Sequence, residues 1–262
     1  MPDPVDAIEA GNGPRIVLVH SSVAGARQWT RLIAALEHRH RLIAPNLFGY
    51  GKTPGWSAGR SQRLEDQARL LEPLLCAKDK GATLIGHSFG GSVAMKAAQL
   101  FPGHVDRLIL IEPNPFYLLR QNGRGAAYDQ AIALRDVIKR AGRTGDWAAA
   151  AEVFADFWTG SGSWAAMPPD RRARFAAALR PNFHEWDAVI DETTPLAAWA
   201  NTLPESTTVI TADDTVRVIA EIAELMQAVC RHWRFARLPE GGHMAALSRP
   251  DDILPVIETA LG

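Results

Sequence analysis

A serine and a histidine occur in this chain in settings that would let one activate the other. Gly86-His87-Ser88-Phe89-Gly90 fits the pattern G-x-S-x-G. It follows the apolar run Ala82-Thr83-Leu84-Ile85 and opens a stretch of helical composition that ends near Leu100. In that strand–turn–helix setting a serine sits on a sharp turn with its hydroxyl lifted clear of the sheet. Glycines flank it because the turn is strained and packs its neighbours too closely for side chains. The plainer alternative is a serine N-cap after a glycine turn.

A serine hydroxyl becomes a useful nucleophile only when a base takes its proton. The candidate base is His243, in Glu240-Gly241-Gly242-His243-Met244 just after the apolar run Arg234–Leu238. Two glycines before it let the loop bring the imidazole to Ser88. His87 points away from Ser88 in such a turn and reads as structural. His20, His38, His40, His104, His184 and His232 have no comparable context.

The elements that must position these groups follow an alternating pattern. Strands are expected at Ile16–Val19, Arg41–Ala44, Ala82–Ile85, Val105–Ile111, Thr207–Thr211 and Arg234–Leu238. Helices are expected at Ala26–Leu36, Gln62–Leu75, Ser88–Leu100, Val216–Cys230 and Ile253–Leu261. Continuous apolar strands alternating with amphipathic helices predict an α/β fold, a mostly parallel sheet flanked by helices on both faces. Between Phe116 and Leu203 the alternation stops. That stretch reads as four helices, near 126–141, 146–158, 169–179 and 183–190, and holds five of the eight tryptophans. We expect a core of residues 1–115 and 204–262 and an inserted helical cap of residues 116–203. An insertion there lands at the carboxyl edge of the strands, where α/β proteins bind ligands.

Composition narrows the classes. The chain has 262 residues, 28 Lys+Arg against 29 Asp+Glu, and 47% hydrophobic residues. No bulk positive charge favours nucleic acid or an anionic membrane. No apolar run reaches the roughly 18 residues of a membrane helix. The acidic, proline-rich start Met1-Pro2-Asp3-Pro4-Val5-Asp6 differs from a signal peptide, so a cytoplasmic location is expected. Cys76 and Cys230 read as buried free thiols. No His, Cys, Asp or Glu cluster suggests a metal, and no cofactor is expected. Gly49-Tyr50-Gly51-Lys52-Thr53 lacks the first glycine of a phosphate loop, because Asn46 stands there.

Taken in order, Val17-Leu18-Val19-His20-Ser21-Ser22, Ala44-Pro45-Asn46-Leu47-Phe48-Gly49-Tyr50-Gly51, the Ser88 turn and the late Gly-His resemble members of the α/β-hydrolase fold family. The resemblance spans nearly the whole chain and is specific for the fold rather than for a substrate. It implies an oxyanion hole from the backbone amides of Phe89 and Ser22. Two departures concern that loop and its neighbour: the usual His-Gly is His20-Ser21, and the usual Asp after Ala-Pro is Asn46. The few residues before the first strand imply that the family's leading antiparallel strands are shortened or partly absent.

The acid partner of His243 has two candidates. The family usually places it after the strand that follows the cap, in a Gly-x-x-Asp pattern. Here Thr211-Ala212-Asp213-Asp214-Thr215 puts Thr215 in the acid slot, and a shift of one residue makes it Asp214. Glu112 ends the strand before the cap, a point where some relatives, including certain haloalkane dehalogenases, carry their acid. Pro113 is expected to keep Glu112 extended, and a carboxylate ending an apolar strand asks for a role. Glu112 is favoured, with Asp214 the alternative.

Together these readings describe a serine hydrolase of carboxylic ester or thioester bonds acting through an acyl-enzyme. Non-hydrolytic relatives of the hydroxynitrile lyase, perhydrolase or C–C hydrolase type use the same Ser/His pair. A ligand receptor without turnover is a third reading. The expected partner is a small apolar or aryl ester, with Trp158, Trp164 and Phe183 among the pocket walls.

Overall fold

The computed structural model describes residues 5–76 and 81–262. Among these, seven strands form one sheet in the order β1-β3-β2-β4-β5-β6-β7. They are β1 (Ala7–Ala10), β2 (Arg15–Val19), β3 (Arg41–Pro45), β4 (Ala82–His87), β5 (Val105–Ile111), β6 (Thr207–Ala212) and β7 (Arg234–Leu238). β1 pairs antiparallel with β3 and every other pairing is parallel. Among the described residues the one antiparallel strand is β1, four residues long.

The helices are α1 (Thr30–Leu36), α2 (Leu64–Leu70), α3 (Glu72–Leu75), α4 (Phe89–Leu100), α5 (Tyr117–Gln121), α6 (Gly125–Thr144) and α7 (Trp147–Thr159). They continue with α8 (Ser163–Ala166), α9 (Pro169–Ala178), α10 (Asn182–Ile190), α11 (Leu196–Thr202), α12 (Arg217–Val229), α13 (Ala245–Ser248) and α14 (Pro250–Leu261). The expected single helix over 62–75 is two: α2 stops at Leu71 and α3 restarts with Pro73 in its first turn. Proline has no N–H to continue the ladder, so the break falls there. No helix among the described residues is long and apolar enough to cross a membrane.

Strand side chains alternate between two cores. Val17, Val19 and Leu84 join the larger core with α2, α4, α12 and the helices after β5. Ile16, Leu18 and Ile85 join the smaller one with α1 and α14. That period of two is masked in the sequence because both faces are apolar. Helices α5 to α11 all lie between β5 and β6. Three of them, α5, α8 and α11, are too short to stand out in sequence periodicity.

Two sequence expectations fail locally. Cys76 follows α3 and is exposed rather than buried, whereas Cys230 is buried, which pushes its thiol up to about 12. The backbone at Glu112 is not extended but left-handed, with φ 48°.

Candidate active site

The chain turns one way from β2 to β3 and the other way from β4 to β5, so the carboxyl ends of β2 and β4 flank the switch point of the sheet. A crevice opens at such a point because the two following loops diverge. Ser88 stands at the end of β4 and Ser22 in the loop after β2. Ser88 has φ 54° and ψ −119° and immediately precedes α4. A Cβ on Gly86 would lie 2.3 Å from the Gly90 carbonyl oxygen, and one on Gly90 would lie 2.3 Å from that of Val19. The two glycines of the motif are therefore required by close backbone approach.

The structure brings Ser88, His243 and Glu112 together. Ser88 Oγ lies 2.8 Å from His243 Nε2, and His243 Nδ1 lies 3.3 Å from Glu112 Oε2. All three are buried, at 4%, 3% and 1% exposure. With Nδ1–H directed at the carboxylate, Nε2 carries the lone pair that can accept the serine proton. A relay with this geometry can generate a nucleophilic alkoxide and return the proton to a leaving group.

Glu112 is fixed on every side. Its Oε1 accepts a 2.6 Å hydrogen bond from the Ala212 amide, its Oε2 accepts one from the Thr215 hydroxyl, and its own amide donates to Ile210 O at 2.9 Å. These bonds hold the left-handed backbone that turns the carboxylate toward β6 and the His243 loop. Thr215, the residue in the acid slot, thus serves as a donor to an acid that comes from β5. Asp214 does not approach His243 Nδ1. Its carboxylate accepts from the Gly241 and Gly242 amides at 3.1 and 2.8 Å, bracing the turn that carries His243. Asp213 pairs with Arg237.

Beside Ser88 is a cavity of about 210 Å³ lined by Ser22, Phe89, Phe116, Trp158, Phe175 and Trp186 among others. Of the three wall residues expected from sequence, Trp158 lines it and also stacks on His243, with ring centroids 4.1 Å apart and planes 30° apart. Trp164 and Phe183 lie outside the lining. Trp164 is buried against Phe175 and the Arg172 guanidinium. Phe183 sits under the Lys139 ammonium and over Gly142, where a Cβ would lie 2.2 Å from its ring. Composition alone does not separate an aromatic that holds the helices together from one that faces a cavity.

Ser22 and Phe89 both line the cavity, and neither backbone amide has a hydrogen-bond partner among the described residues. The next amide along, that of Val23, donates to the Tyr50 hydroxyl at 2.9 Å. Ser21 donates from both its amide and its hydroxyl to Gln28 Oε1, at 2.9 and 2.8 Å. Gln28 Nε2 in turn donates to His87 Nδ1 at 3.1 Å, and His87 Nε2–H donates to the His243 carbonyl at 2.8 Å. His87 is therefore a neutral strut linking the loop after β2 to the loop that carries His243. His20 is also neutral, donating to Ser21 O and accepting from the Leu47 amide.

Sequence reasoning missed Tyr50, Asn182 and Glu185. Asn182, Glu185, Trp186 and Val189 share one face of α10 at helical spacing, and all are buried. Two polar residues on an otherwise buried aromatic face are the signal that could have found them.

Burial pushes His20 down to about 4 and His87 down to about 3, the latter helped by the neighbouring His243. Both lie below the ordinary histidine value of 6.5. The unfolded chain therefore binds protons that the native state refuses as pH falls below that value. Stability is complete above it and is expected to drop by about 1.4 kcal/mol per pH unit for each histidine as acid is added. Urea unfolding between pH 7 and pH 5 measures this, and His87→Asn should remove about one proton of the uptake. An unchanged slope in that variant would mean that His87 is not held neutral.

The matched profile, described as the alpha/beta hydrolase family, covers residues 16–256, and the chain belongs to that family. An uncharacterized protein of Mycobacterium tuberculosis is 40% identical over 103 residues, which is 39% of this chain and 30% of that protein's length. The chain thus matches less than a third of that relative. The pimeloyl-[acyl-carrier protein] methyl ester esterase of Aromatoleum aromaticum is 28% identical over 94% of this chain and 98% of its own. The crystal structure of a hydrolase from Pseudomonas aeruginosa superposes with TM-score 0.80 at 21% identity, covering 98% of this chain and 93% of that one. At that identity the likeness is one of fold.

Proposed function

We propose that this chain is a serine hydrolase of carboxylic ester or thioester bonds, with Ser88 as nucleophile, His243 as base and Glu112 as acid partner. The observation that carries the reading is the 2.8 Å approach of Ser88 Oγ to His243 Nε2 in a ring whose other nitrogen faces Glu112. Ser88 Oγ attacks the substrate carbonyl carbon while His243 Nε2 takes its proton. The carbonyl oxygen becomes an oxyanion that the Phe89 and Ser22 amides receive, an electrostatic contribution that commonly dominates acyl transfer. The tetrahedral adduct collapses, the C–O or C–S bond breaks, and His243 returns the proton to the leaving alcohol or thiol. Water repeats the sequence on the acyl-serine, releasing the acid and restoring Ser88.

The helices of residues 116–203 act as a cap whose Trp158, Phe116, Phe175 and Trp186 enclose the acyl or alcohol group. Aromatic walls favour apolar substrates. The Aromatoleum relative, by its name an esterase of an acyl-carrier-protein methyl ester, is consistent with a medium acyl chain.

A panel of p-nitrophenyl esters from acetate to dodecanoate tests the reading. Turnover should rise from acetate to a medium chain and then fall, a fluorophosphonate should label Ser88, and Ser88→Ala should abolish both signals. Equal turnover along the series would remove the aromatic-wall argument. Absence of labelling would remove the hydrolase.

A further inference from the structure

The loop after β2 departs from the usual His-Gly at Ser21, and it carries a β-branched residue in the left-handed region, Val23 at φ 71°. Without a glycine such a backbone costs on the order of 1–3 kcal/mol and persists only where its surroundings over-determine it. The surroundings here are specific. Glu185 of α10, 1% exposed, accepts three hydrogen bonds. Oε1 takes the Tyr50 hydroxyl proton at 2.8 Å, and Oε2 takes those of Ser22 Oγ at 2.5 Å and Asn182 Nδ2 at 2.8 Å. The Tyr50 hydroxyl oxygen accepts from the Val23 amide at 2.9 Å, so one carboxylate and one phenol grip two successive residues of the loop. Asn182 is oriented by donating also to Ser22 Oγ at 3.1 Å and by accepting from Trp186 Nε1 at 2.8 Å.

We infer that Glu185 and Tyr50 are positioning residues that set the oxyanion-binding amide of Ser22, so that the hole is assembled only while α10 is seated on the core. The inference rests on the hydrolase reading above and deepens it. The Val23 amide is engaged by the Tyr50 hydroxyl, and the adjacent Ser22 amide, on a residue that lines the cavity, has no partner among the described residues. Every group around Glu185 is a donor. A glutamine there has a single acceptor oxygen, and its NH2 must oppose either the Tyr50 hydroxyl or the Ser22–Asn182 pair. Burial holds the Glu185 carboxyl above its ordinary range against the pull of Ser22, Asn182 and Tyr50, and raises the Tyr50 phenol well above its own. Both are the marks of a dry cluster in which a mismatched donor is costly.

Because the pair acts on a bond made only in the transition state, its loss should appear in kcat rather than KM. The test compares wild type, Tyr50→Phe, Glu185→Gln and the double variant on p-nitrophenyl butyrate. It includes inhibition by butaneboronic acid, which forms a tetrahedral adduct on serine. Each single variant is expected to lose about 10- to 100-fold in kcat with KM within about threefold, since deleting an oxyanion donor outright costs 100- to 1,000-fold. Boronate affinity should fall in step. The double variant should be no worse than about threefold below the weaker single one, because the two residues act in series. The inference is overturned by an unchanged kcat with a raised KM, by losses that multiply, or by a boronate affinity that does not follow kcat. Tyr50→Phe deletes one oxygen and carries the test alone if Glu185→Gln does not fold. A wild type without Ser88-dependent turnover would instead refute the hydrolase reading itself.

Discussion

Glu112→Gln is expected to lower kcat on a p-nitrophenyl ester by about 10⁴-fold, the scale seen when the acid of a Ser-His-Asp relay becomes an amide. The three groups around the carboxylate, the Ala212 amide, the Thr215 hydroxyl and His243 Nδ1, all point donors at it. A glutamine offers one acceptor oxygen. The Ala212 N–H is part of the backbone and cannot turn away, so the oxygen stays with it and the NH2 group faces His243 and Thr215. The hydroxyl can rotate, but the imidazole meets a donor only by moving its proton to Nε2, where it can no longer accept from Ser88. Asp214→Asn should cost less than about 10-fold, because it loosens one of two bonds to the Gly241–Gly242 turn and leaves the relay intact. Steady-state kinetics on the two variants decide between them, and the opposite ranking would move the acid to the loop after β6.

Ser88→Ala and His243→Ala should each lower kcat by about 10⁶-fold, and the double variant should fall no further. Without Ser88 the imidazole has no hydroxyl to deprotonate, and without the imidazole the hydroxyl is a neutral alcohol at working pH. Each loss therefore removes the same step. Single-turnover measurements separate the residual rate from contaminating activity. If the double variant falls by the product of the two losses, the side chains act independently and the relay is not the mechanism.

Much of this arrangement is legible in the sequence. β5 and β7 fall where their apolar runs place them, and Ser88 and His243 were marked by glycines whose spacing only a tight turn explains. Glu112 was legible for a reason that proved half right: a carboxylate at the end of a buried strand did have a partner, but through a left-handed backbone, not an extended one. Proline disfavours the right-handed region before it without dictating which alternative three hydrogen bonds will select. What sequence did not reveal is pairwise geometry across the insertion. Trp158 and Trp164 are six residues apart and chemically alike, yet one stacks on His243 and the other packs against Phe175. Glu185 shares α10 with a second acidic residue, Asp187, and nothing in the sequence separates the one paired with Lys139 from the one whose meaning depends on Tyr50, 135 residues earlier.

Ser88 and Glu112 follow directly on β4 and β5 and His243 lies in the loop after β7, while helices α5 to α11 all lie between β5 and β6. Evolution or an engineer could accordingly exchange that whole stretch for a foreign one and redraw selectivity while the backbone that carries all three groups stays in place. Such a transplant carries two hidden requirements: the incoming helices must again cover the imidazole where Trp158 lies on it, and must again present an acceptor to Ser22 and Tyr50.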